Sequence, residues 1–168
     1  MPLDYFGSFF LKHPGEATPM RETITAALKH ATKAQDKRRI STLRLMSAAI
    51  KDRDIAARTA GKGEATAAEL LELFARMIKQ REESEKIYAD AGRAELAKQE
   101  SEEIVIIREF LPKQMSEPEM ETAIADAIAK ADAASVKDMG RVMAELKANY
   151  AGQMDFARAS ALVKAKLG

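Results

Sequence analysis

Lys37, Arg44, Lys51 and Arg58 recur every seven residues. On a helix such positions drift by only ~20° per step, so the four cations form one stripe beside the apolar face. A stripe of this kind can track a phosphate backbone, because each neutralised phosphate releases condensed counterions. No aromatic residue interleaves with it, which disfavours stacking of unpaired bases. The competing use of the stripe is internal, since acids elsewhere could neutralise it. Between Arg21 and Arg58 bases dominate, opposed only by Glu22, Asp36, Asp52 and Asp54. From Glu64 to Glu121 the balance reverses, with glutamates crowded at Glu82, Glu83, Glu85, Glu100, Glu102 and Glu103. The net charge of +1 hides this segregation. Residue pattern alone leaves both uses open.

Catalytic chemistry finds little support. With no cysteine, disulfides, thiolate metal sites and cysteine nucleophiles are excluded. The histidines are His13 and His30; His30 sits among alanines and lysines without a partner at ligand spacing and reads as a surface residue. There is no HExxH, GxSxG, P-loop or GxGxxG pattern. "AGKGEAT" lacks both a preceding strand and the lysine spacing of a phosphate loop, and reads as a linker. Glu82, Glu83 and Glu85 do not project from one helical face, so the acidic run reads as a solvated, salt-bridged surface. We therefore expect no catalytic residue, metal site, cofactor or small-molecule substrate.

The elements that position the stripe are helices. Alanine, leucine, isoleucine and methionine must fill the core, because aromatics make up only 5% of the chain and tryptophan is absent; these residues favour helix. Ile24, Ala27, Leu28 and Ala31 carry the first periodic segment. Asp36 is a good N-cap for the second, whose apolar face is Leu43, Met46, Ile50 and Ala57. Thr66 precedes a third helix with Leu70, Phe74, Met77 and Ile78 on one side. A fourth runs from about Arg93 to Phe110 and is stopped by Pro112. Ser116 and Glu119 form a capping box before Met120, Ile124 and Ile128. Ser135 with Asp138 looks like a second cap, followed by Met139, Val142, Met143 and Leu146. Asp155 caps a last helix bearing Phe156, Leu162, Val163 and Leu167. The expectation is all-α: a long-helix N-terminal bundle over 20–112 and a small three-helix bundle over 113–168. Residues 1–19 read as an N-terminal extension, disordered or reflecting an upstream start, with Met20 as the natural start. No run approaches a membrane span.

Three stretches resemble a known family. "DKRRISTLRLMSAAIKDRDIAAR", "MIKQREESEKIYADAGRAELAKQESEEIVIIREFLPKQ" and "VKDMGRVMAELKANYAGQMDFARASALVKAKLG" are similar to the YqeY family, the GatB/YqeY domain proteins. The resemblance covers about Arg21 to Gly168. It implies a helical N-terminal part and a three-helix C-terminal part, similar to the tail of the B subunit of glutamine-dependent tRNA amidotransferase. That tail holds tRNA while chemistry occurs in other domains, so a label of carbon–nitrogen ligase with glutamine as amido-N-donor would be inherited from the parent enzyme. The resemblance makes Gly140 the glycine after Asp-Met, expected to admit a close helix approach, and Gly152 the glycine of the last turn, expected at positive φ before Asp155. Arg141, Lys147, Lys164 and Lys166 become candidate phosphate contacts, although "YAGQMD" carries no lysine where the matching turn is more basic.

The expected function is a cytoplasmic, non-enzymatic helical module that contacts tRNA through its basic stripe. Its expected partners are tRNA and an amidotransferase or aminoacyl-tRNA synthetase, not a membrane. The alternative is a protein–protein interaction module without RNA binding.

Overall fold

The computed structural model describes the backbone of residues 17–168 and the side chains of residues 20–168. All regular structure among these residues is helical: α1 (Ala17–Ala34), α2 (Lys37–Thr59), α3 (Ala67–Asp90), α4 (Ala94–Arg108), α5 (Glu117–Lys130), α6 (Met139–Tyr150) and α7 (Phe156–Leu167), with a 3-10 turn at Val136–Asp138. The all-α class is therefore established. The chain divides into two compact units, one ending at Pro112 and one spanning Lys113–Gly168. Most of the expected extension, residues 1–16, lies outside the described residues. Its last three residues belong instead to the first turn of α1.

In the N-terminal unit α1 and α2 form an antiparallel hairpin. Gln35 turns the chain at φ +54, and the Asp36 carboxylate accepts from the Arg39 N–H at 3.0 Å, which satisfies a donor left open at the start of α2. Met20, Ile24 and Ala31 of α1 pack with Leu43, Met46 and Ile50 of α2 in one core. Leu70 and Phe74 of α3, Ile104 and Ile107 of α4, and Phe110 complete that core. A full capping box at Thr66 and Glu69 starts α3, and Gly92 at φ +70 turns it into α4.

Buried Asp54 fastens the open end of the first hairpin. It accepts from Arg21 Nη2 at 2.5 Å and from the Ala65 N–H at 2.9 Å, while Arg21 donates to the Ala65 carbonyl at 2.9 Å. Burial by itself would raise the Asp54 pKa; the Arg21 and Ala65 hydrogen bonds outweigh it and hold the carboxyl below its ordinary value. One side chain thus joins α1, α2 and the Gly61–Thr66 connection.

The C-terminal unit has its own core, centred on Ile124 of α5, Val142 and Leu146 of α6, and Ala159 and Val163 of α7. The Ser116–Glu119 capping box forms, with Glu119 Oε2 accepting from the Ser116 N–H at 2.7 Å; that contact holds the Glu119 pKa below its ordinary value. Ser135 and Asp138 also form a capping box, but it caps the 3-10 turn that leads into α6. Asp155 accepts from the Ala157 and Arg158 N–H groups and starts α7. Gly152 is buried at φ +72, and its carbonyl accepts from Gln114 Nε2 at 2.5 Å. Gly140 corrects the expectation drawn from the resemblance. It is exposed, and a Cβ built there meets nothing within 4 Å, so no close helix approach accounts for it.

Candidate nucleic-acid interface

The bases of α2 fall into two sets that adjacent sequence positions conceal. The helix turns 100° per residue, so Arg38 and Lys37 point to different neighbours. Arg38 reaches α4, with Nε 3.2 Å from Glu102 and Nη1 3.7 Å from Glu103. Arg39 makes two hydrogen bonds to Glu109, at 2.9 and 2.7 Å. Those bonds, partly offset by burial, raise the Arg39 pKa further above its ordinary value. Arg53 turns to α3 and meets Glu69 at 2.7 Å. These arginines are the internal partners of the acidic helices.

Lys37, Arg44 and Lys51 are different. All three are exposed, and among the described residues no carboxylate lies within ion-pair distance of any of them. Seven residues of helix advance about 10.5 Å, so the three cations span about 21 Å of α2 in one line. Arg58, the fourth member of the stripe, is also exposed but bonds Glu64 at 3.1 Å. Stripe and core face are distinct: fully buried Met46 lies on the side of the helix opposite Arg44, and fully buried Leu43 borders the stripe about 100° away.

The cations singled out in the C-terminal unit do not make a comparable line. Arg141 pairs with Asp138 at 2.5 Å, and this bond leads the contacts that lower the Asp138 pKa. Lys147 Nζ lies 5.9 Å from the centre of the Phe156 ring, within cation–π range. Lys164 and Lys166 are exposed in the last turn of α7, where cations complement the helix dipole. Two positions apart, they point away from each other.

The acidic half of the first unit forms an arm. From Lys79 to Glu102, across the end of α3 and the start of α4, no residue is buried. At its base Glu103 is buried and held by Arg81 at 2.9 Å and by Gln99 at 3.3 Å. Burial, then the neighbouring Glu103 charge, raises the Glu100 pKa, with Arg81 opposing. Arg108 closes the outer side on Glu82 at 2.7 Å. Near the tip Ile87 is 66% exposed, more than any other large apolar residue noted in the described chain. Sequence periodicity did not identify this arm, because the absence of a third covering helix is a tertiary fact.

Among the described residues no group of three or more His, Asp or Glu side chains is placed to hold a metal ion. No described helix is long and apolar enough to cross a membrane. A family model described as Yqey-like protein matches residues 21–167. No curated protein matches the chain significantly.

Proposed function

The chain belongs to the YqeY-like family, and from that premise and the geometry of α2 we propose that it is a helical RNA-binding module, with tRNA as the RNA it contacts. The observation that carries this reading is the line Lys37–Arg44–Lys51, exposed and without an ion-pair partner among the described residues. The fold supplies acids to Arg38, Arg39, Arg53 and Arg58 and leaves these three cations facing solvent. An array of fixed charges on a rigid helix, with no aromatic platform beside it, suits a phosphate backbone more than stacked bases. The similarity to the amidotransferase tail supports tRNA as the ligand. It also supports a cytoplasmic setting and an amidotransferase or aminoacyl-tRNA synthetase as the neighbouring enzyme; any ligase chemistry belongs to that neighbour. The test is binding to total tRNA at two salt concentrations, with the wild type beside Arg44→Glu/Lys51→Glu. Binding that weakens with salt and is lost in the variant supports the module. Equal binding by both proteins removes the stripe from the interface, and no binding at low salt ends the RNA reading.

A second reading, a protein-interaction module, is favoured by the acidic arm. Exposed Ile87, one helical turn beyond exposed Glu83, would suit a basic protein surface with an apolar notch. Replacement Ile87→Asp distinguishes the two readings: it leaves tRNA binding unchanged if the stripe is the functional surface, and abolishes a defined partner's binding if the arm is.

A further inference from the structure

We infer that the RNA this surface takes is a double-stranded stem, gripped by two rows of cations on two helices; this rests on the RNA reading above. The second row is on α1. Lys29 and Lys33 are both exposed, and no carboxylate among the described residues lies within ion-pair distance of either. They lie one helical turn apart on one face. The core positions Met20, Ile24, Ala27 and Ala31 define the opposite face of α1, so this row points away from the core.

The relative placement of the rows follows from the hairpin. Arg21 bonds Asp54 at one end, and the chain reverses at Gln35 and Asp36 at the other. That antiparallel register sets Lys33 level with the first turns of α2 and Lys29 level with the turn that carries Arg44. Asp54 also fixes which flank of α2 faces α1, and the stripe lies on that same flank, rotated outward. The Arg38 flank faces α4. Packed helices lie 8–10 Å apart in general, so two staggered lines of cations run side by side on one outer surface. Glu22, seven residues before Lys29, closes the α1 row at its far end.

One line of cations can follow one strand. Two lines held at a fixed separation by a packed core match two backbones that are themselves held at a fixed separation. A single strand has no second backbone to meet the second row. A-form RNA presents its phosphates across a wide, shallow groove, where recognition is by shape and backbone. The acidic arm belongs to the opposite charge block of the unit, so the duplex is confined to the α1–α2 surface by repulsion elsewhere.

The experiment compares a fully paired RNA hairpin, an unpaired RNA of equal length and total tRNA, each titrated over a salt series. The proteins are the full-length wild type, Lys29→Ala/Lys33→Ala and Arg44→Ala/Lys51→Ala, with circular dichroism as the folding control. The wild type should bind the paired hairpin about tenfold more tightly than the unpaired RNA. Each double variant should lower the salt slope for the hairpin by about two, and Lys29→Ala/Lys33→Ala should leave binding of the unpaired RNA unchanged. Equal affinity for paired and unpaired RNA, or a hairpin slope unmoved by Lys29→Ala/Lys33→Ala, overturns the two-row duplex grip while the stripe reading stands. Failure of every RNA, tRNA included, to bind overturns the RNA reading itself.

Discussion

At the scale of single residues, the surroundings of one acid and two glycines decide what each contributes. Asp54 is an acid inside a core, made acceptable by Arg21 and the Ala65 N–H. Its removal in Asp54→Ala leaves Arg21 without its carboxylate and should lower the unfolding free energy by about 2 kcal/mol in urea titration. The pH dependence has a definite sign. The folded pKa lies below the unfolded one, so the unfolded chain binds the extra proton first. The Asp54 contribution is complete above about pH 5 and fades as pH falls through the acid range below about 4. Wild type and Asp54→Asn should therefore converge in stability on acidification; a gap that stays constant down to strong acid would contradict this. Two glycines of the second unit, Gly140 and Gly152, diverge. Gly152 is buried at φ +72, and Gly152→Ala should destabilise by about 1 kcal/mol or more, since an L side chain is strained there. Gly140 meets open space in the first turn of α6, and Gly140→Ala should stabilise by about 0.5 kcal/mol through helix propensity. Thermal melts of the two variants should move in opposite directions.

At the scale of elements, α2 serves the core, the acidic helices and the solvent on different faces. Arg44→Glu/Lys51→Glu removes no ion pair among the described residues, so its stability should stay within about 0.5 kcal/mol of the wild type. Arg39→Ala breaks the two-bond contact to Glu109 and should cost about 1 kcal/mol. If the stripe variant proves the more destabilised, Lys37, Arg44 and Lys51 are structural and the interface lies elsewhere. In the acidic arm Glu100→Gln relieves charge crowding near Glu103 and Glu85. It should stabilise by on the order of 0.3 kcal/mol at neutral pH, with the gain gone once the carboxyls are protonated. These faces explain which parts of the fold were legible in the residues alone. Helix starts at Asp36, Thr66, Ser116 and Asp155, and apolar faces such as Leu43–Met46–Ile50, depend on residues within a turn or two, and local spacing reports them. The stripe was legible for the same reason. Whether Arg38 or Lys37 finds an acid depends on which flank α4 occupies, and nothing local encodes that. Local spacing does not single out Lys29 and Lys33 as a row, because their relation to Arg44 exists only once the hairpin closes. The open space beside Gly140 differs from the resemblance's expectation because an empty space beside a helix has no sequence signature.

At the scale of the whole molecule, charge and core are distributed separately. The stripe cations Lys37, Arg44 and Lys51 and the acidic arm all belong to the unit ending at Pro112, while Lys113–Gly168 folds around a core of its own. That second core is small: Val142, Leu146, Ala159 and Val163 are completely buried, but a unit of this size retains a limited fraction of its surface from water. A core built on so few side chains rarely supplies more than about 3–5 kcal/mol. Leu146→Ala should remove about 3 kcal/mol of it through lost burial and the cavity left behind, which is enough to unfold most of that unit. The α1–α2 hairpin and its Arg21–Asp54 fastening draw nothing from that core. The variant should therefore lose helical circular dichroism corresponding to α5, α6 and α7 yet still bind tRNA through Lys37, Arg44 and Lys51. If binding disappears along with the C-terminal helices while α1–α4 remain folded, the RNA surface extends into the second unit, and Arg141, Lys147, Lys164 and Lys166 regain a place in it. If binding persists, the function belongs to the first hairpin, and the second unit is free to serve a different partner.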